Sequence, residues 1–119
     1  MNIIFLKIFA VALLFVGEIL PVSAEVWAAK LTNILHLPFL EAYPKTVFVH
    51  ILGSFFLIAG YIIGYKAFQN IWIVNVITIS AIVIITPVAT WLLIQQPPTA
   101  GAWTGLVLGF GGLIAATFF

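Results

Sequence analysis

The sequence contains no cysteine, no arginine and no aspartate, and charged residues make up only 6% of the 119 residues. The lack of cysteine excludes disulfides, thiolate chemistry and cysteine-bound metals. A net charge of +1 from four basic residues lacks the basic stripe of a nucleic-acid-binding protein. Hydrophobic residues make up 65% of the chain, with a mean hydropathy of +1.31. This composition leaves too little polar surface to coat a soluble globule and predicts a membrane protein.

Four apolar runs are long enough to cross a bilayer, whose hydrocarbon core of about 30 Å takes roughly 20 helical residues. Backbone groups in lipid must be satisfied internally, so these runs are predicted to be helices. Their approximate bounds are residues 3–29, 46–65, 71–94 and 102–119. We therefore predict an all-α membrane protein with a single four-helix transmembrane domain over residues 1–119 and no soluble domain.

A cleavable signal peptide is an alternative interpretation of the first run. Lys7, an apolar stretch and the sequence VSA also fit a cleavable signal peptide. A glutamate inside the apolar stretch is unusual for a signal, so we assign this run to the first transmembrane helix.

The predicted connection, residues 30–45, is long, and its HLPFLEAYP part is expected to lie along the membrane surface.

Glu18 lies inside the first apolar run, in the sequence LFVGEILP. A charge at mid-bilayer costs about 2.5–3.5 kcal/mol on insertion scales, so such groups face protein or a wet cavity and usually have a function. A desolvated carboxyl can hold a proton and give it up to a cation. We interpret Glu18 as such a group, with a hydrogen-bonded structural carboxyl as the alternative. Pro21 and Pro87 either bend their helices to open space or are static kinks.

Lys7, Glu18 and Glu25 share one stripe of the first helix, because spacings of eleven and seven residues are close to whole turns. Lys7 is interpreted as an interfacial lysine that reaches the headgroups, and Glu25 as a solvated charge at the helix end. His50 falls near the start of the predicted second helix. We interpret it as an interfacial histidine bonded to a carbonyl, with a proton relay as the alternative.

Two polar residues lie deeper in the predicted spans. Tyr61 in the second helix is a candidate cavity wall, and Asn75 in the third is either a contact between helices or a cavity-lining group. With Glu18 they form the predicted set of proton- and substrate-binding residues. No nucleophile constellation, phosphate loop or metal-spaced cluster occurs in the sequence, so we predict neither an enzyme nor a cofactor or metal site.

Glycines at four-residue spacing let helix backbones approach closely, which in lipid substitutes for a hydrophobic driving force. The sequence GYIIG places Gly60 and Gly64 at this spacing. The last helix is predicted to be mainly an association surface, within the monomer or between two copies. Its predicted packing residues are Gly101, Gly105, Gly109 and Gly112.

The lysines are balanced between the two predicted sides of the membrane. Lys7 and Lys66 fall on one side, and Lys30 and Lys45 fall on the other. The positive-inside rule therefore leaves the insertion direction undecided. The balance either reflects a chain that inserts in both directions and pairs as an antiparallel dimer, or is uninformative. Four thin helices can hardly enclose a transport path alone, which also favours a dimer.

The second half of the sequence has a short AFQNI turn, then QPPT, and then Trp103 and Gly105 at the start of a glycine-rich last helix. In this order it resembles the second half of a four-helix unit of the drug/metabolite transporter superfamily. With LFVGEIL in the first helix, the whole chain is similar to the small multidrug resistance family. It is also similar to the paired flippase subunits that move aminoarabinose-linked lipid.

The resemblance implies that Glu18 binds a proton and a cationic substrate in turn, and that Gly105 and Gly112 form a dimer contact. It implies an antiparallel homodimer or a paired homologous subunit in the lipid of a bacterial or archaeal cell membrane. The sequence NVITISAIVIITP replaces the aromatic third-helix motif of that family, so aromatic stacking on a drug is not implied.

Together these observations predict a proton-coupled exporter of a small cationic or amphiphilic solute. One alternative is a subunit of a lipid-carrier-linked sugar flippase. The other is a non-transporting membrane subunit, in which Glu18 pairs with a basic group of a partner chain. The three differ in whether Glu18 faces a wet cavity, a lipid-open groove or another chain.

Overall fold

The computed structural model describes residues 2–118, so Met1 and Phe119 of the predicted domain lie outside the described residues. Within this range the chain forms four α-helices and no strand. The helices are α1 (Ile3–Asn33), α2 (Phe39–Phe68), α3 (Ile71–Ile94) and α4 (Ala100–Phe118). Each is long and apolar enough to cross a membrane. The prediction of an all-α membrane protein with four spans is confirmed, and the architecture is that of an integral, multi-pass membrane protein.

The connection between α1 and α2 is residues 34–38, much shorter than the predicted residues 30–45. α1 continues to Asn33 because polar side chains at its end bond back to carbonyls of the preceding turn. Thr32 Oγ1 donates to the Ala28 carbonyl at 2.9 Å, and Asn33 Nδ2 donates to the Ala29 carbonyl at 3.1 Å. The chain then reverses through His36, whose φ of 56° is left-handed.

α2 begins at Phe39 rather than near residue 46, so residues 39–44 of the segment predicted to lie along the membrane surface instead form the first turns of this helix. The Pro38 carbonyl accepts from the Glu41 N–H at 3.0 Å, which starts the helical hydrogen-bond ladder. Pro44 removes one bond from that ladder without ending the helix. Hydropathy misses this start because Glu41 and Lys45 interrupt the apolar run.

The remaining bounds differ little from the predicted ones. α3 has the predicted range, α2 ends three residues later at Phe68, and α4 begins two residues earlier at Ala100. Only two residues join α2 to α3. Gln69 adopts a left-handed φ of 57°, and the Asn70 side chain accepts from the Trp72 N–H at 2.9 Å, which caps α3.

α1 is the central helix of the fold. It packs against both α2 and α3, whereas α4 contacts α3 alone among the described helices. No described residue of α4 is buried. The principal extents are 48 × 33 × 17 Å. A helix with its side chains is about 10–12 Å across, so the molecule is less than two helices thick.

Glycines let α1 and α2 pack in direct contact. A Cβ added at Gly17 of α1 would lie 2.8 Å from Leu57 Cγ, and one at Gly60 of α2 would lie 2.8 Å from Leu14 Cδ2. Each glycine therefore admits a leucine of the facing helix. A Cβ at Gly64 would lie 3.1 Å from Val74 of α3. The predicted close packing at Gly60 and Gly64 is confirmed, and Gly17 is an addition to it.

The glycines of α4 make no such contacts within the monomer. A Cβ at Gly105 or Gly112 would meet no described atom within 4 Å. The nearest approach to another helix is at Gly109, 4.0 Å from Val83 of α3. At Gly101 the nearest atom is Thr99 Oγ1 at 3.9 Å. Within the described residues, the glycines of α4 therefore show no close contact with another helix, and contact between two copies stays a prediction.

The lysines mark the depth of α1 and α2 in the membrane. Lys7 and Lys30 are 23 residues apart on α1 and Lys45 and Lys66 are 21 apart on α2, or about 34 and 32 Å along the helices. Both lengths are close to the hydrocarbon thickness of about 30 Å. Because α1 and α2 are antiparallel, Lys30 and Lys45 lie at one end, named here the Lys30/Lys45 side.

Exposed aromatic residues mark the same two levels. Tyr65 and Trp72 are exposed at the end that carries Lys7, and Tyr43, Trp91 and Trp103 are exposed at the Lys30/Lys45 side. Tyrosine and tryptophan favour both membrane–water interfaces. Lysines and aromatics therefore define one consistent frame for the depth of the polar residues.

Candidate functional site

Glu18 lies at the centre of the membrane frame. It has 15 residues of α1 on either side, so each end of the helix is about 22 Å away. It is eleven residues from Lys7 and twelve from Lys30, which places it at mid-bilayer. The predicted range of residues 3–29 puts Glu18 slightly past the midpoint, because that range ends four residues before the helix does. Its exposed fraction is 7%, so protein covers most of it.

The Glu18 carboxylate has no protein partner in the described part of the chain. Neither salt bridge within residues 2–118 involves it, and it makes no hydrogen bond there. No fully buried side-chain oxygen or nitrogen in the same range lacks a partner. The Glu18 oxygens therefore retain some contact with the exterior, and the carboxylate is placed to bind a proton or a cation.

The helix next to Glu18 is held by a backbone contact with α2. Pro21 has no N–H, so the Gly17 carbonyl loses its helical partner. Gly53 of α2 fills this position, since a Cβ added there would lie 2.8 Å from Gly17 O and 2.7 Å from Pro21 Cγ. Pro21 thus opens no space toward α2, because Gly53 occupies it.

Pro87 borders a groove of about 500 Å³ between α3 and α4. The polar residues of the groove are Thr86, Thr90, Gln96 and Thr99, and it includes no charged residue. Trp91 and Gly105 also line it. The groove is therefore apolar with a few neutral hydrogen-bonding groups, a composition suited to an uncharged or amphiphilic molecule.

The other predicted binding residues form a separate pair. Tyr61 Oη donates to Asn75 Oδ1 at 3.0 Å and joins α2 to α3. The pair lies near the level of Gly64, where an added Cβ would lie 3.7 Å from Ala10 Cβ of α1. Ala10 is eight residues, or about 12 Å, from Glu18. No direct contact within residues 2–118 links this pair to Glu18, and Asn75 acts as the interhelical contact that was one of its two interpretations.

Glu25 and His50 form a pair between α1 and α2, with His50 Nε2 3.3 Å from Glu25 Oε1. Glu18 interacts electrostatically with both. His50 lies eleven residues inside α2, not near its start, because α2 begins earlier than predicted. The pairing has a signal in the sequence: Glu25 and His50 each lie five residues inward of a lysine, Lys30 and Lys45, on antiparallel helices.

Lys7 lies at the opposite end of the stripe that carries Glu18 and Glu25. Its ammonium is 5.5 Å from the centroid of the Phe68 ring at the end of α2. An exposed cation over an aromatic ring at this depth is an interfacial anchor. Lys7 is therefore separate from the Glu18 site.

The ionisable side chains are confined to one half of the molecule. α3 and α4 contain no aspartate, glutamate, lysine, histidine or tyrosine. Within residues 2–118, no group of three or more histidine, cysteine, aspartate or glutamate side chains is placed to hold a metal ion. Any proton chemistry of the four helices therefore belongs to α1 and α2, where the carboxylates and the histidine inside the lysine frame are Glu18, Glu25 and His50.

No protein-family model matches this chain, and no curated protein or solved structure matches it either. The family resemblance of the sequence stays a prediction. The function must be argued from the position and the contacts of the ionisable groups.

Proposed function

We propose that this chain is a proton-coupled secondary transporter that exports a small cationic or amphiphilic solute across a bacterial or archaeal cell membrane. Glu18 binds the proton and the solute alternately. The observation that carries the proposal is a carboxylate at mid-bilayer, 7% exposed, that makes no hydrogen bond or ion pair within residues 2–118. A structural carboxyl in this position needs a partner, because unpaired buried polar groups are costly.

Coupling follows from the cost of charge in the hydrocarbon. Protonated Glu18 is neutral, and ionised Glu18 with a bound cation is neutral as a pair, so both are tolerated at mid-bilayer. Ionised Glu18 alone is the costly state. A carrier that changes conformation only when this charge is neutralised exchanges protons for cations.

The proposed transporter is an antiparallel homodimer or a pair with a homologous subunit. At 17 Å across its shortest dimension, one chain is too thin to enclose a solute path. Alternating access in small units of this kind uses two repeats of inverted topology. The lysine balance permits both orientations, and the open glycines of α4 offer a contact surface.

The test is transport by purified protein in liposomes. Currents are recorded on a solid-supported membrane with tetraphenylphosphonium and a panel of other organic cations, under an imposed proton gradient. We expect currents with the wild type and at least a 100-fold loss with Glu18→Gln, which cannot ionise. Glu18→Asp should keep part of the activity.

The matched control is Glu41→Gln, because Glu41 is an exposed residue in the first turn of α2. Its currents should equal those of the wild type. If Glu18→Gln carries wild-type currents, Glu18 is not the coupling carboxylate and the proposal is wrong.

A second candidate function is a subunit of a lipid-carrier flippase. The observation that favours it is the groove of about 500 Å³ between α3 and α4, which has neutral polar groups and lies on the helix that makes the fewest contacts. If this candidate is correct, the wild type gives no current with any cation of the panel. It also requires movement of a fluorescent lipid-linked sugar between leaflets in the same liposomes.

A further inference from the structure

Glu25 and His50 lie within the hydrocarbon, on the route from one membrane surface to Glu18. Each is five residues inward of the lysine that marks the Lys30/Lys45 side, or about 8 Å deeper along its helix. Glu18 is seven residues beyond Glu25 on the same stripe of α1, about 10 Å further in. The pair therefore sits at an intermediate depth, between the water and the proposed coupling carboxylate.

Both side chains are ionisable, and both are exposed at a depth where contact with lipid acyl chains would be costly. The exposed fraction of the side chain is 68% for Glu25 and 47% for His50. Ionisable groups inside a membrane face protein or water-filled space rather than acyl chains. Their contact at 3.3 Å joins α1 to α2, and the exposed surface that remains calls for water.

A groove of about 350 Å³ between α1 and α2 supplies space for that water. It is lined by both members of the pair and by residues nearer the Lys30/Lys45 side, among them Ala28, Tyr43 and Thr46. The groove is large enough for several waters, each of which takes about 30 Å³ in the liquid, and its polar groups come from Glu25, Tyr43, Thr46 and His50. It therefore extends from the pair toward the membrane surface at that end.

The ionisable groups on this route are few and come from two helices. α1 contributes Glu18, Glu25 and Lys30, and α2 contributes Tyr43, Lys45 and His50. α3 and α4 contribute none. Glu18 interacts electrostatically with Glu25 and His50.

We propose that Glu25 and His50 form a proton relay that joins Glu18 to the aqueous phase on the Lys30/Lys45 side. The relay rests on the proposed function of Glu18. In an antiparallel dimer, each of the two chains would present its relay to a different side of the membrane, so that one Glu18 is served from each side.

The relay moves one proton per step and no electrons. Nδ1 of neutral His50 takes a proton from a hydronium ion in the groove, which leaves as water, while Nε2–H gives its proton to Oε1 of ionised Glu25. Protonated Glu25 then gives this proton through water to ionised Glu18. His50 returns to its first tautomer when Nδ1–H gives its proton to water and Nε2 takes one from water. Histidine suits the first position of the relay because it exchanges protons readily near neutral pH. The 3.3 Å contact between His50 Nε2 and Glu25 Oε1 shortens to a hydrogen bond by a small rotation.

The test follows the protonation of Glu18 directly and needs no solute. After a rapid drop in pH, the carboxylic-acid infrared band of the reconstituted protein is recorded over time, and Glu18→Gln identifies the part of the band that belongs to Glu18. We expect Glu18 to protonate at least tenfold more slowly in His50→Gln and in Glu25→Gln. The double variant should be no slower than the slower single variant, because both groups lie on one path.

Chemical rescue separates a relay from a structural effect. Added imidazole should restore most of the rate in His50→Gln, because a diffusible base can replace the missing one. Glu41→Gln, outside the groove, should leave the rate unchanged. Circular dichroism and thermal unfolding check that each variant folds, and if His50→Gln does not fold, Glu25→Gln decides the test with formate as the rescuing acid.

The outcomes keep the two proposals apart. Wild-type cation currents with an unchanged protonation rate in both variants overturn the relay alone, and so does a slower rate that no small acid or base restores. Wild-type liposomes without currents for any solute, together with a Glu18 band that does not respond to pH, overturn the proposed function and the relay with it.

Discussion

The α1–α2 pair and helix α4 differ in how closely their helices pack against the rest of the molecule. α1 and α2 interlock through Gly17, Gly53 and Gly60, and they carry every ionisable residue of the four helices. α4 contacts α3 alone, has no buried residue among those described, and leaves Gly105 and Gly112 open. The proposed chemistry thus lies where helices are held together tightly, and the loosely attached helix is left for assembly.

The difference has a physical cause in the membrane. Lipid chains are as apolar as leucine, so burying apolar side chains does little to drive helix association, and close packing must supply it. A carboxylate such as Glu18 also needs a fixed environment that shields it from lipid. Direct backbone contact at Gly53 gives α1 that rigidity one turn from Glu18. α4 carries no charge to shield and is free of this requirement.

The contrast in packing between the two regions is tested most strongly by adding one methyl group to each. In Gly53→Ala the new Cβ would lie 2.7 Å from Pro21 Cγ and 2.8 Å from Gly17 O, and the helices must move apart. We expect the free energy of unfolding in mixed micelles to fall by about 2–3 kcal/mol. In Gly111→Ala of α4 the Cβ meets no described atom within 4 Å, and the change should be neutral or stabilising by up to about 1 kcal/mol. Equal losses in the two variants would contradict the contrast.

The assembly role of α4 predicts a loss of dimer without a loss of fold. Gly112→Leu fills the open glycine stripe, and we expect dimerisation to weaken at least tenfold, or about 1.4 kcal/mol. The measurement is energy transfer between labelled chains as they are diluted in detergent. Gly111→Leu is the matched control, since Gly111 is equally open but lies off the stripe. A dimer unaffected by Gly112→Leu would place the contact elsewhere.

The link between α2 and α3 is expected to have a smaller effect. Tyr61→Phe removes the hydrogen bond to Asn75 Oδ1, and we expect the free energy of unfolding to fall by about 0.5–1 kcal/mol, as is usual for such bonds in membranes. A double-mutant cycle with Asn75→Ala isolates this interaction. Coupling above about 2 kcal/mol would mean that the pair does more than join two helices.

The smallest effect is expected at the membrane surface. Lys45 Nζ and Glu41 Oε1 are 4.0 Å apart on half-exposed side chains, and solvent screens such pairs. Glu41→Gln should therefore change the free energy of unfolding by less than about 0.5 kcal/mol, measured in the same unfolding assay. A larger change would show that the first turns of α2 are held by this ion pair, and Glu41→Gln would then lose its value as a control.

The ends of the helices separate what hydropathy predicts from what it misses. α3 was predicted over its full range because the lipid-facing run and the helix coincide there. α2 was not, because its first turns extend past the hydrocarbon, where Glu41 and Lys45 are at no disadvantage. A scan for apolar runs finds the part of a helix that lies in lipid, and hydrogen bonds at caps such as Pro38 decide where the helix begins.

The sequence alone determined that the chain spans a membrane four times and that Glu18 lies inside the hydrocarbon, because the cost of polar groups in lipid limits where they occur in the sequence. Only the tertiary structure decided which residues meet. It paired Glu25 with His50, separated Tyr61 and Asn75 from Glu18, and placed the tight glycine contacts on α1 and α2 instead of α4. Hydropathy predicts how deep a residue lies in the membrane. The neighbours of a side chain depend on how the helices rotate and cross, and only close packing fixes this rotation and crossing.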